Sequence, residues 1–149
     1  MPSSFQDILT TRLDDIKRPK DIPVGEYMAV VDALYEVVER GGFEVLSFPI
    51  RLTQAINADP GELIEALNGR ALTDSNNIKH EFWRPTEAAS KFRLKTFLHD
   101  HLGIDKGLSL GEALSQAPNR PLIVTIGHDP SKNPGDERVF LRIKATAHA

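Results

Sequence analysis

The segment ERVFLRIKA, residues 137–145, combines positive charge with an aromatic ring on one side of a predicted β-strand. Successive side chains of a strand point to opposite faces of the sheet. One face is aliphatic and consists of Val139, Leu141, Ile143 and Ala145. The other face carries Arg138, Phe140, Arg142 and Lys144. Because cations neutralise phosphates and an exposed aromatic ring stacks on a base, this face predicts contact with single-stranded nucleic acid.

The direction of the Phe140 ring decides between two interpretations. Large aromatic side chains are usually buried, so the ring of Phe140 could pack under a loop as an ordinary core residue. The aliphatic face of the same strand already supplies core contacts, which favours an exposed ring. The sequence leaves both interpretations open.

Two further segments, 43–52 and 77–85, add aromatic and basic side chains to the same kind of surface. Within the second segment, Phe82 and Trp83 are adjacent, so strand alternation predicts that only one of them lies in the core. The complete set of predicted nucleic-acid-binding residues is Arg138, Phe140, Arg142, Lys144, Arg51, Phe48, Lys79, Trp83 and Arg84.

Catalytic and metal-binding patterns are missing from the sequence. It contains no phosphate-binding loop GxxxxGK[ST], no GxGxxG, no HExxH and no GxSxG. Cysteine is absent, which excludes thiol nucleophiles and thiolate metal sites. His99 and His101 are two residues apart on a predicted helix and therefore point in different directions. We predict a protein that is not an enzyme and has neither a metal nor a cofactor.

Composition indicates one globular domain of moderate charge. Of the 149 residues, 40% are hydrophobic, and the formal net charge is −3. Acidic side chains outnumber basic ones in residues 1–78, whereas basic ones prevail in residues 79–106 and 120–149. No apolar run approaches the ~20 residues that a membrane span needs, and the first residues lack the apolar core of a signal peptide. We therefore predict a cytoplasmic protein without a membrane segment.

Turn residues divide the first half into an arm and two strands. Prolines and a glycine break the pattern before residue 26, so residues 1–25 are predicted to form an N-terminal arm. Residues 26–38 are apolar on both faces, and their valines and tyrosines favour a strand over a helix. ERGG then predicts a hairpin into a second long strand from Phe43. Pro49 cannot donate to a ladder, so this strand is predicted to be bulged or at an edge there.

The second half contains helices and a closing hairpin. Residues 59–69 form a predicted helix with Asp59 as its N-cap, and RALTDSNNIKHEFWRP predicts two strand pieces around DSNN. The longest helix begins at Thr86 and ends at Gly103, with Phe92 on its core side. A further capping-box helix begins at Ser109. RPLIVTIGHDP and ERVFLRIKATA pair as a C-terminal hairpin.

These elements predict an α+β domain, mostly β, over residues 26–149. An OB-like five-stranded Greek-key barrel, with helices inserted before the C-terminal hairpin, fits the order of the elements.

The sequence also resembles a known family. The segments SFQDILTTRLDDIKRPKDIPVGEY, FWRPTEAASKFRLKTFLHDHLGI, SLGEAL and RPLIVTIGHDP…ERVFLRIKA are similar to short phage or prophage proteins of the OB-fold, single-stranded-DNA-binding type. The resemblance implies a protein that coats single strands during phage DNA replication or recombination in a bacterial host cell. Its partners would be single-stranded DNA and possible phage replication or recombination proteins. The face with Arg138, Phe140 and Arg142 would form the binding groove.

A second hypothesis is a protein–protein interaction or assembly module on the same fold that does not bind DNA. Its support is the acidic first half of the chain, which would repel DNA and offer a surface to a partner. An oligomer is compatible with both hypotheses.

Overall fold

A computed structural model of the chain describes residues 5–15, 21–74, 78–130, 133–135 and 139–149. The strands are β1 (Gly25–Val31), β2 (Glu36–Arg40), β3 (Phe43–Ala58), β4 (Ile78–Trp83), β5 (Pro121–Pro130) and β6 (Val139–His148). The α-helices are α1 (Phe5–Ile8), α2 (Pro60–Leu67), α3 (Ala88–Lys95) and α4 (Leu110–Gln116), and α3 continues into a π-helical segment, Thr96–His101. Two 3₁₀ turns span Leu13–Asp15 and Leu72–Asp74. The predicted α+β, mostly β class is confirmed.

All strands belong to one antiparallel sheet, and β3 is its longest member. The strands follow the order β2-β3-β1-β5-β6, and β4 pairs with the free side of β3. The first half of β3 pairs with β2 and β4, and its second half pairs with β1. The predicted C-terminal hairpin is confirmed as the pair β5–β6. Cα atoms of β4 and β6 approach to within 8 Å, although the described residues form no strand pairing there.

The first predicted strand is interrupted, and Pro49 explains where. β1 ends at Val31 and β2 begins only at Glu36, although both run antiparallel to β3. The Pro49 carbonyl accepts a hydrogen bond of 2.8 Å from the backbone N–H of Asp32. The N–H that Pro49 lacks would face the same side, because both groups of one strand residue point to the same neighbour. On this side Pro49 therefore lies in the gap between β1 and β2, so that β3 is locally an edge there, one of the two arrangements that the proline predicted.

The observed starts of the helices agree with the predicted ones where a side chain forms a capping hydrogen bond. The carboxylate of Asp59 accepts from the Glu62 N–H at 2.9 Å, and the hydroxyl of Ser109 accepts from the Glu112 N–H at 3.2 Å. α3 differs from its prediction, because its N-cap is Glu87 rather than Thr86 and makes no side-chain capping bond.

One predicted strand is wrong. The first of the two strand pieces around DSNN is the 3₁₀ turn Leu72–Asp74, and only the second piece is a strand, β4. Residues 75–77 between them lie outside the described residues. The turn lies close to β3 but is not one of the strands of the sheet, and tertiary pairing rather than local preference decides whether such a segment becomes a strand.

The core joins the inner face of the sheet to α3, the π-helical segment and α4. Its centre is an aromatic cluster in which Phe48 lies 5.8 Å from Phe82 and 5.1 Å from Phe97, measured between ring centroids. Ile22, from the end of the predicted arm, also belongs to this core. Across the described ranges, no helix is long and apolar enough to cross a membrane.

Candidate functional site

A cleft of about 860 Å³ lies where β4 and β6 approach without pairing. One wall is the strand segment 79–83 of β4, and the other is the segment 140–146 of β6. Side chains from α3 and the π-helical segment form the floor of the cleft, and Asp129 of β5 also lines it. The cleft therefore exposes two strand edges and one helix to the same volume.

Three exposed aromatic rings line the cleft, and each comes from a different element. Trp83 ends β4 and is 42% exposed, Phe92 lies on α3 and is 67% exposed, and Phe140 lies near the start of β6 and is 54% exposed. Of the adjacent pair in β4, Phe82 is buried and Trp83 is not, as strand alternation predicted. Exposed rings spaced along one cleft are suited to stacking against planar ligands.

Cationic side chains exceed anionic ones in the cleft. The lining cations are Lys79, Arg93, Arg142 and Lys144, and the lining carboxylates are Glu81 and Asp129. Both carboxylates already have cationic partners. Glu81 accepts from Arg40 at 2.8 Å, and Asp129 accepts from both Arg142 and Lys144. The cleft therefore carries a net positive formal charge with its negative groups paired.

A hydroxyl network fixes α3 against the end of β4. The buried Ser90 hydroxyl donates to the carbonyl of Trp83 at 2.6 Å, and Arg93 donates to the same hydroxyl at 3.1 Å. These bonds set the distance between the ring of Trp83 and the exposed face of α3. They also hold Arg93 at the cleft rather than in free solvent.

The predicted long helix contains a π-helical segment, and one of its predicted core residues is exposed. Phe92 was expected on the core side of the long helix, but it is exposed and lines the cleft. The backbone N–H of Leu102 bonds to the carbonyl of Phe97, five residues earlier, which adds one residue to the helical turn. The core face of the helix carries Leu94, Phe97 and Leu98. Phe97 and Leu98 follow Leu94 by three and four residues, the ordinary helical spacing, whereas Phe92 is two residues from Leu94 and therefore lies on the opposite side.

A β-bulge at Lys144 reverses the facing of the residues that follow it in β6. The register between β5 and β6 shifts, so that Ile143 pairs with Ile126 but Ala145 pairs with Thr125, leaving Lys144 as the extra residue. Ala145, predicted to join the aliphatic face, is consequently exposed. Thr146 turns inward instead, and its hydroxyl lies 2.6 Å from Nδ1 of His101. Bulges often re-aim side chains beside functional sites.

Five of the nine predicted binding residues line this cleft. They are Lys79, Trp83, Phe140, Arg142 and Lys144. Phe140 is exposed, so it does not pack beneath a loop as the alternative interpretation required. Arg138 lies outside the described residues.

The other three predicted residues lie elsewhere. Phe48 is fully buried in the aromatic cluster, so no face of its ring is available to a base, and we remove it from the site. Arg51 is 3.2 Å from Asp32, away from the cleft. Arg84 stacks over Phe43, with its guanidinium carbon 4.1 Å from the ring centroid, in a separate shallow depression. Inward and outward strand positions could not be distinguished for Phe48 because both faces of β3 carry apolar residues.

His80 is a cleft residue that the sequence analysis did not select. Its ring packs 4.8 Å from that of Phe82 and 5.0 Å from that of Phe97, between centroids. Burial lowers the pKa of His80 from 6.5 to about 4, and the nearby charges of His101 and Arg93 act in the same direction. The imidazole is therefore neutral near pH 7 and adds no positive charge to the cleft.

This shift predicts a pH-dependent stability. The pKa of His80 is lower in the folded than in the unfolded chain, so the unfolded chain binds more protons between pH 6.5 and 4. Stability must then fall as the pH falls through this window. We expect a free energy of unfolding about 1 kcal/mol smaller at pH 5.5 than at pH 7, measured by urea denaturation. His80→Leu should have a flatter profile, and identical profiles for both proteins would contradict the assignment.

No metal site is evident among the described residues, because no three histidine or acidic side chains come together there. No protein-family profile matches the sequence, and none of the curated protein sequences is detectably similar to it.

Proposed function

We propose that the chain is a non-enzymatic, largely sequence-independent single-stranded-DNA-binding protein and that the cleft between β4 and β6 is its binding site. The observation that carries this proposal is the combination of three exposed rings, Trp83, Phe92 and Phe140, with an excess of cations along one cleft. Single-strand binders use this combination, because stacking tolerates any base and cations follow the backbone.

We also propose that the fold is an OB-like Greek-key barrel that is open at the cleft. Counting β1 and β2 as one interrupted strand gives five strands, and the helices α3 and α4 precede the β5–β6 hairpin. The order of pairing supports this proposal, since the two strands at its ends, β4 and β6, approach each other. An open seam between the end strands would leave both edges free for a ligand.

The biological setting of this proposal comes from the sequence resemblance. It places the protein in the cytoplasm of a bacterial host cell, where it would protect single strands during phage DNA replication or recombination. Phage replication or recombination proteins would then be its protein partners.

Fluorescence anisotropy with a labelled oligo-dT tests the function directly. We expect binding at low salt that weakens as salt rises, with a slope of log K against log[salt] approaching −3 if all four cleft cations contact phosphates, at roughly 0.7 per phosphate. Duplex DNA of the same length serves as the control and should bind more weakly, because its bases are not available for stacking. Absence of oligo-dT binding at low salt would overturn the proposal.

A second candidate, a protein–protein interaction module, is favoured by the β2 region. Among the described residues β2 pairs only with β3, and Leu34 and Val37 there are 55% and 58% exposed. Free strand edges with apolar side chains are suited to pairing with another chain. Size-exclusion chromatography with light scattering separates the candidates, since an oligomer that is indifferent to oligo-dT favours the module.

A further inference from the structure

Asp129 is held between two of the four cations that line the cleft. Its Oδ1 atom lies 2.6 Å from Nζ of Lys144, and its Oδ2 atom lies 3.1 Å from Nη1 of Arg142. The hydrogen bonds from Lys144 and then Arg142 lower the pKa of Asp129 below its ordinary value. The carboxylate is therefore ionised near neutral pH, and each of its oxygens accepts from a different cation.

The backbone around Asp129 fixes this arrangement. Lys144 is the extra residue of the bulge in β6, and Gly127 on β5 leaves room for the lysine stem to lie flat against the sheet. A Cβ atom at residue 127 would be 2.3 Å from Cε of Lys144 and 2.7 Å from its Cγ. Arg142 pairs in register with Gly127, two residues along the strand from the pair Asp129 and Phe140 and therefore on the same face of the sheet. Asp129 and Phe140 are thus directly opposite each other on neighbouring strands, and both line the cleft.

We propose that the Asp129 carboxylate occupies the place of a backbone phosphate between Arg142 and Lys144, and that single-stranded DNA displaces it on binding. This inference rests on the proposed function. It adds that Asp129 lowers the affinity of the protein for single-stranded DNA. A phosphodiester and a carboxylate each carry one negative charge, and both accept charge-assisted hydrogen bonds from arginine and lysine. Two such anions repel each other at contact distance. A phosphate can therefore bind to Arg142 and Lys144 only after the Asp129 carboxylate has moved away from them.

The opposite role for Asp129 is that of a scaffold, and it predicts the opposite result. If the carboxylate orients the two cations for a phosphate that binds beside it, its removal would let both side chains move and would weaken binding. Arg142 and Lys144 are 66% and 43% exposed, so both retain surface that a phosphate could reach without displacing Asp129. The sign of the change in affinity therefore distinguishes displacement from scaffolding.

Asp129→Asn is the direct test, and Asp32→Asn is its matched control. Both substitutions remove one negative charge, and Asp32 is also paired with an arginine, Arg51, but away from the cleft. We expect Asp129→Asn to tighten oligo-dT binding by about 3- to 10-fold in anisotropy titrations, the size expected for the loss of two exposed ion pairs. Asp32→Asn should change the affinity by less than about 2-fold, because screening weakens distant exposed charges.

Gly127→Ala provides a second variant that leaves every charge in place. The added methyl group must push the Lys144 stem off the sheet and away from Asp129. We expect this variant also to bind oligo-dT more tightly than the wild type, by a smaller factor than Asp129→Asn because Arg142 keeps its partner. No change in the Gly127→Ala variant would mean that freeing Lys144 does not help a phosphate, which overturns displacement.

The remaining outcomes separate this inference from the proposed function. Weaker binding by Asp129→Asn, or equal tightening by Asp129→Asn and Asp32→Asn, overturns displacement while leaving DNA binding intact. If neither the wild type nor Asp129→Asn binds oligo-dT at low salt, the proposed function itself fails. Circular dichroism melting of each variant checks that the fold is retained.

Discussion

Phe48→Ala should lower the free energy of unfolding by about 3–5 kcal/mol, the usual cost of truncating a fully buried phenylalanine. The Phe48 ring is completely buried and contacts three other rings, with centroid distances of 6.4 Å to Tyr35, 5.8 Å to Phe82 and 5.1 Å to Phe97. Removing it leaves a cavity among side chains from β3, β4 and the π-helical segment. Urea denaturation followed by tryptophan fluorescence measures the loss.

A matched control for this prediction is Phe92→Ala. Phe92 is 67% exposed on α3, so its truncation should change the free energy of unfolding by less than about 0.5 kcal/mol. Under conditions where the Phe48→Ala variant remains folded, the affinity of this Phe48 variant for oligo-dT should equal that of the wild type. If Phe48→Ala were as stable as the wild type but bound DNA poorly, Phe48 would belong to the binding site, and its assignment to the core would be wrong.

The elements that could be predicted from the sequence are those with local signals. The hairpin before Phe43, the caps Asp59 and Ser109, and the C-terminal strand pair each depend on residues within a few positions of one another. Pro49 also acts locally, because a missing N–H disrupts a ladder in any surroundings. These signals were sufficient for the α+β class and for most of the strand order along the chain.

The features that could not be predicted depend on contacts between distant segments. The π-helical segment adds a residue to one turn of the long helix, and the bulge at Lys144 changes which residues of β6 face the core. Neither feature changes the local pattern of apolar residues, so ideal strand alternation assigns Ala145 to the wrong side. In both cases the structure adds one residue to a regular repeat, and the added residue lies beside the cleft.

The sequence predicted which kinds of side chain form the candidate site, but not all of the residues that line it. Because the strand of Phe140 already has an aliphatic face, the sequence favoured an exposed ring over a buried one without deciding between them, and the ring is exposed. The same argument fails for β3, because that strand is buried on both faces around Val45 and Phe48. The outer face there is covered by the ion pair of Arg40 with Glu81, which joins β2 to β4 across β3. An ion pair between β2 and β4 does not alter the residue pattern of β3, so the sequence of β3 could not predict it.

Phe140→Ala should weaken oligo-dT binding by roughly 5- to 150-fold, which corresponds to the ~1–3 kcal/mol that stacking on one aromatic side chain contributes per base. The ring is 54% exposed, lines the cleft and lies opposite Asp129 in the β5–β6 register, beside two cations. Anisotropy titration of labelled oligo-dT at low salt measures the loss. The slope of affinity against salt should stay unchanged, because stacking releases no counterions.

The controls for Phe140→Ala separate stacking from folding and from general loss of apolar surface. Phe43→Ala removes a ring of similar exposure, 41%, that lies outside the cleft, and it should leave oligo-dT binding within about 2-fold of the wild type. Phe140→Trp should restore binding, since an indole also stacks, whereas Phe140→Leu should not, although leucine is apolar. The melting temperature of Phe140→Ala should stay close to that of the wild type. A large fall in melting temperature, or equal binding by the leucine and tryptophan variants, would show that Phe140 supports the fold or a general apolar contact rather than a stacked base.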